Sequence, residues 1–233
     1  VAIQLALRSV GVKPGDNVLA NAFTLAPVPG AIENVGANSI LVEIDENFHI
    51  NIADFTAKAN ASKSKFLLLS HMRGHITNMD KLVEICKSLK IQIIEDCGHT
   101  MGAKWDGKRS GNFGLVSAFS TQTYKHINSG EGGFLVTNDD EVIAKAIMHS
   151  GSYMLYEKHA SSPNNDIFEK VKLKTANFSG RMDNLRSSIL IPQLKDLDNK
   201  VIKWNNLYKE LYDRLKTQDG IFIPNRDKRE FYV

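Results

Sequence analysis

Two residues of this chain have the type and the placement to work as a pair. Lys125 stands in a loop that runs from the apolar stretch Val116–Ser120 to a G-E-G-G turn and a second apolar stretch, Phe134–Thr137. Asp96 comes earlier and directly follows I-Q-I-I-E, a run with the look of a buried strand. An amine and a carboxylate at the ends of two strands can hold a small molecule between them, the first as nucleophile and the second as a fixed negative charge. Each has a plainer reading as well: Lys125 as a solvated loop lysine, Asp96 as a helix cap or turn former.

The pairing depends on the elements that carry it. Ile3, Leu5, Ala6, Leu7 and Val10 fall largely on one helical face, and Gly11 stops that helix. Asn17–Ala20, Ser39–Ile44, Phe66–Ser70 and Ile91–Ile94 read as strands. Between them lie helices after Phe23 and over Asp54–Asn60 and Met79–Leu89. Such alternation predicts parallel strands joined by right-handed crossovers. Glu141–His149 is a further helix, with Asn138, Asp139 and Asp140 all able to cap it. Gly151–Ser179 is a long connection of weak periodicity, of the kind that is more often functional or interfacial than idle. A long helix is expected from Met182 to Gly220, kinked or split near its first third by Pro192, with a new element starting at Ile221–Ile223.

Composition narrows the partners. With 233 residues, 42 % hydrophobic and 24 % charged, the chain can bury a core of ordinary size. A net charge of +3, with basic residues scattered rather than striped, gives no reason to expect nucleic acid. Cys86 and Cys97 have neither C-x-x-C spacing nor a histidine ladder, so reduced thiols and no metal site are expected. No run approaches the roughly 18 apolar residues of a membrane span, and no signal peptide is visible. A cytoplasmic protein is the expectation. Val1 already lies inside a helical pattern and F-Y-V at the end reads as a strand just beginning, so the sequence is expected to be a piece of a longer protein.

One cofactor needs a lysine and a strand-end aspartate together. Pyridoxal phosphate takes an amine that condenses with its aldehyde and a carboxylate that keeps its ring nitrogen protonated. The residues around the pair then carry a family resemblance: I-I-E-D-C-G-H-T-M-G-A, S-G-N-F-G-L-V-S-A-F-S and Y-K-H-I-N-S-G-E-G-G-F-L-V-T-N-D. They resemble the core of the DegT/DnrJ/EryC1/StrS aminotransferases, fold-type I pyridoxal-phosphate enzymes most of which aminate keto-sugars. The likeness extends through V-G-V-K-P-G-D-N-V, A-F-T-L, S-H-M-R-G-H-I-T-N-M-D and N-F-S-G-R-M-D-N-L-R-S-S-I-L, leaving only residues 150–175 outside it.

The resemblance implies an α/β fold whose mostly parallel sheet is sandwiched by helices. It makes residues 1–180 the large cofactor domain, and residues 181–233 a helical connection and the start of a small domain. Lys125 becomes the cofactor-anchoring lysine and Asp96 the partner of the ring nitrogen. His99 stands where the family usually has glutamine, near the ring oxygen. Ser120 matches a phosphate-holding serine, and Thr24 a threonine beside the ring. The next family residue is commonly aromatic and stacks on the ring, but here it is Leu25, and Phe23 reads as core. Arg181 and Asn177 match a segment that reaches into the neighbouring subunit's site, Arg181 also having a plainer reading as a surface arginine at a helix start. The implied activity is transfer of an amino group from glutamate or glutamine to a keto-sugar, by a homodimer with shared sites. Amination of a cyclitol ketone and a non-catalytic homologue are the rivals. A branch of the family that dehydrates sugars replaces the lysine with histidine, which Lys125 argues against. The phosphate-binding turn that should precede the first helix is missing from the sequence, so this stretch alone is expected to bind the cofactor weakly or to aggregate.

Overall fold

The computed structural model describes residues 1–233. In chain order the strands are β1 (Asn17–Asn21), β2 (Asn38–Val42), β3 (Phe66–Ser70), β4 (Gln92–Asp96), β5 (Lys104–Trp105), β6 (Lys108–Arg109), β7 (Val116–Ser120), β8 (Gly133–Val136) and β9 (Glu230–Phe231). The helices are α1 (Ala2–Ser9), α2 (Pro27–Asn34), α3 (Ile52–Ser62), α4 (Met79–Ser88), α5 (Asp140–Ser150), α6 (Asn165–Val171), α7 (Asn184–Lys195) and α8 (Leu197–Leu215).

Six strands form the main sheet in the order β2-β1-β3-β4-β7-β8. All pairs are parallel except β7–β8, because the lysine loop is a return rather than a crossover. Alternation along β3 divides the core between two faces. Phe66 and Leu68 pack with α1 and α2, whereas Leu67 and Leu69 pack with Phe55 of α3 and with Leu82 and Cys86 of α4. This is the expected α/β/α sandwich. Gly133 is forced by β7: a Cβ there would meet the Phe119 carbonyl oxygen at 2.5 Å.

Helix starts follow their caps. The Asn51, Asn78 and Asp139 side chains accept first-turn N–H groups of α3, α4 and α5, so Asp139 is the residue that caps α5. Pro192 does not split its helix as expected. It lies on the exposed side of α7, and the carbonyl it leaves without a donor belongs to exposed Ser188, where water can reach it. The break falls at Asp196 instead. Residues 221–223 form no regular element, and the terminal strand is not left unpaired: β9 joins β5 antiparallel, Trp105 opposite Glu230. The long connection contains α6, whose Phe168 and Val171 pack with Tyr156 against α5. Leu185, Leu207 and Leu211 on α7 and α8 stand exposed. No helix is long and apolar enough to cross a membrane.

Glu95 ties the sheet to the segment before β7. Its carboxylate is fully buried and accepts N–H groups from Gly111 at 2.9 Å and from Phe113 and Gly114 at 2.7 Å, with His71 Nε2 at 3.1 Å. Burial alone would raise its pKa. The His71 contact and the backbone donors outweigh burial and hold it below the ordinary 4.5. A carboxyl depressed in the folded state stabilises above 4.5, and that stability is lost as the pH falls through its folded pKa. Glu95→Gln removes the acceptor for Gly111, so we expect a loss of about 1–3 kcal/mol near neutral pH and a flatter acid limb. Chemical denaturation as a function of pH checks both, and an unchanged acid limb would contradict this account of Glu95.

Candidate active site

The carboxyl ends of β3, β4 and β7 open together, as expected where ligands collect on a parallel sheet. Ser70 and Asp96 close β3 and β4 side by side in register. Ser70 Oγ donates to Asp96 Oδ2 at 2.8 Å, and the Gly98 N–H donates to Asp96 Oδ1 at 3.1 Å. Ser70 is fixed in turn by buried Asn21, which accepts the Ser70 N–H at 2.8 Å and donates to its carbonyl at 3.0 Å. Thr24 Oγ1 donates to Ser70 Oγ at 2.8 Å, so Thr24 reaches Asp96 through Ser70 rather than directly.

Lys125 arrives from the other side. Its loop is closed by Thr121 N–H to Gly132 O and by Ser129 N–H to Thr121 O, each at 2.9 Å. Gly132 is required in this turn: its φ is +148°, and a Cβ would lie 2.6 Å from Thr121 Oγ1. The amine of Lys125 and the carboxylate of Asp96 face one small space over Gly98. A Cβ built on Gly98 would sit 3.2 Å from Asp96 Oδ1, 3.8 Å from Lys125 Nζ and 3.8 Å from Ser120 Cβ. A cavity of about 530 Å³ opens from there, lined by Asp96, His99, Ser120, Leu25 and Lys125 and by the first residues of α1. That volume is typical of small-molecule sites, which run from about 300 to 1,000 Å³.

The charge pattern of the site favours neutral nitrogen bases. Burial holds the Lys125 amine below its ordinary 10.5, with Asp96 opposing and the Arg73 guanidinium assisting. Burial also holds His99 below 6.5, helped by the charges of Lys125 and Arg73 against that of Asp96. His99 Nδ1 accepts the Arg73 N–H at 3.3 Å, which leaves the proton of the neutral ring on Nε2.

The residues fit pyridoxal phosphate on the observations of this structure: an amine and a carboxylate converge on a space kept clear by glycine. The amino end of α1 opens on the same cavity, where a helix start favours an anion. Leu25 lines the cavity wall but is aliphatic, and Phe23 packs against Phe48 at 4.9 Å. Arg181 and Asn177 lie elsewhere. Arg181 donates to the Gly151 carbonyl at 3.2 Å and covers the Tyr153 ring, and Asn177 accepts the Ser179 N–H. Sequence reasoning missed Ser70, Asn21 and Gly98. The available signal for Ser70 was a hydroxyl closing an otherwise apolar strand, F-L-L-L-S.

The chain is similar to known proteins over most of its length. The chain is 32 % identical over 200 residues to GDP-perosamine synthase of Escherichia coli O157:H7, covering 85 % of this chain and 52 % of that protein. It is 34 % identical over 148 residues to a putative L-glutamine:3-amino-2,3-dideoxy-scyllo-inosose aminotransferase of Micromonospora echinospora, covering 63 % of this chain and 35 % of that one. The crystal structure of DesV from S. venezuelae superposes with a TM-score of 0.84 at 27 % identity, over 98 % of this chain and 58 % of that one. The chain spans about half the length of the curated relatives it matches. Since the family model matches residues 1–231, the chain belongs to the DegT/DnrJ/EryC1/StrS aminotransferase family.

Proposed function

We propose that this chain forms the cofactor-binding part of a pyridoxal-phosphate aminotransferase that moves an amino group from glutamate or glutamine to the ketone of a nucleotide-linked sugar. The observation that carries the reading is the convergence of Lys125 Nζ and the Asp96 carboxylate over Gly98. Pyridoxal phosphate bound there supplies an aldehyde for amine exchange and a ring that draws electrons away from the reacting carbon. Lys125 would anchor it, and once freed its amine would carry a proton between the donor carbon and the cofactor carbon as general base and acid. Its depressed pKa keeps more of that amine in the basic form near neutral pH.

Asp96 holds the proton on the ring nitrogen, and the Ser70 and Gly98 donors keep its carboxylate in place. His99 would offer its Nε2 proton to the ring oxygen. Ser120 and the first turn of α1 take the phosphate. Thr24 borders the ring and is linked to Asp96 through Ser70. Arg181 and Asn177 serve the site of a second copy in a homodimer, a role that suits their absence from this chain's own cavity lining. The division at residue 180 follows from the same reading, with the cofactor domain before it and the connection to a small domain after it. Cys86 and Cys97 are both unpaired, which supports a cytoplasmic setting. The sugar reading draws on the E. coli relative, whereas the M. echinospora relative supports a cyclitol ketone as the second substrate class.

Borohydride treatment of the holoenzyme should fix the cofactor to the peptide containing Lys125, and a label on another lysine overturns the assignment. Asp96→Asn should slow the half-reaction with the amino donor by about 100- to 1,000-fold, the scale on which a fixed charge stabilises a transition state. The same substitution removes the only influence raising the Lys125 pKa, so competitive acylation should find that amine more acidic than in the parent protein. A higher lysine pKa in Asp96→Asn would contradict the electrostatics drawn here.

A further inference from the structure

The loop carrying Lys125 is gripped from two sides, and only one belongs to the sheet. On the other, three successive residues after the lysine each meet α7 or α8. The His126 ring meets Trp204 edge-on at 4.9 Å between centroids. Ile127 is fully buried in a cluster with Leu190, Leu197 and Val201. Asn128 is held through both its backbone groups by one side chain: its N–H donates to Gln193 Oε1 at 3.0 Å, and its carbonyl accepts from Gln193 Nε2 at 2.7 Å. A side-chain amide that engages the N–H and the C=O of one residue acts as a strand neighbour would, fixing the orientation of the peptide as well as its position. Gln193 is itself locked, since Nε2 also donates to the Ile189 carbonyl of its own helix at 2.9 Å.

We infer that Gln193 is a positioning residue for Lys125, acting through the Asn128 backbone to hold the lysine loop against α7. It touches neither the cavity nor the lysine. Its effect is to make the loop follow the helices, so that any shift of α7 and α8 against the sheet is carried to the reacting amine. The inference rests on the proposed role of Lys125 only where cofactor attachment is the readout.

A merely structural glutamine and a positioning one differ in what their loss does to Lys125. The groups facing that amine are Asp96, Arg73, His99 and His126. Release of the loop to solvent moves the amine away from all of them and from its partial burial. The test measures the Lys125 pKa by competitive acylation of the full chain without cofactor, and the rate of covalent cofactor attachment, in Gln193→Leu, Gln193→Glu and Val171→Ala. The last is a core truncation remote from the site. We expect Gln193→Leu to raise the lysine pKa towards that of an ordinary lysine and to slow attachment at least 10-fold, since misplacement of about 1 Å costs on the order of 100-fold. Gln193→Glu keeps the acceptor for the Asn128 N–H and should fall between; if the leucine variant does not fold, this variant decides. Val171→Ala should leave both quantities unchanged. Equal behaviour of the Gln193 variants and Val171→Ala overturns the inference. A raised lysine pKa in Gln193→Leu, with borohydride labelling of the parent falling on another lysine, supports the positioning role and overturns the cofactor reading instead.

Discussion

An aspartate carboxylate fixed at the end of a central strand is the constraint to which the rest of this molecule is fitted. Asp96 spends one oxygen on Ser70 and the other on the Gly98 N–H, and Ser70 is anchored to β1 through Asn21. Three parallel strands therefore act as a single mount for one charge. The next residue back, Glu95, points to the opposite face, as strand alternation demands, and ties down the backbone that leads into β7. Two adjacent acids thus divide the work, one set at the cavity and one organising the strand from which the lysine loop departs.

Around that charge the site is electrostatically uneven. Burial and the Arg73 guanidinium favour uncharged forms of Lys125 and His99, while Asp96 pulls both the other way. The balance leaves more of the Lys125 amine in the uncharged form, the form able to act as nucleophile or base. Geometry enforces it, because Gly98 keeps the meeting point clear and Gly132 and Gly133 let the lysine loop turn tightly against β7.

Much of the fold was legible because its signals are local. The short apolar runs read as buried strands are β3 and β7, and Asp139, one of three candidates for the cap of α5, is the residue that caps it. Elements that depend on solvent access or on distant partners were not legible. Pro192 was read as a break although its exposed position makes the lost bond cheap, and the pairing of β9 with β5 joins residues far apart in the chain. At the site, Lys125 and Asp96 were singled out by type and placement and His99 and Ser120 by resemblance, and all four line one cavity. The link from Thr24 through Ser70 was invisible because it exists only once β3 and β4 lie side by side. Arg181 and Asn177 were named by resemblance, and no contact within this chain brings them to the cavity.

The central claim is that Asp96 keeps a proton on the ring nitrogen of a cofactor anchored at Lys125. The most direct measurement is magnetic resonance of the holoenzyme loaded with a cofactor carrying heavy nitrogen in its ring. This account predicts a ring nitrogen that stays protonated well above the pH at which the free cofactor loses that proton, and that loses this protection in Asp96→Asn. A ring nitrogen that titrates in the parent enzyme as it does in the free cofactor would contradict it.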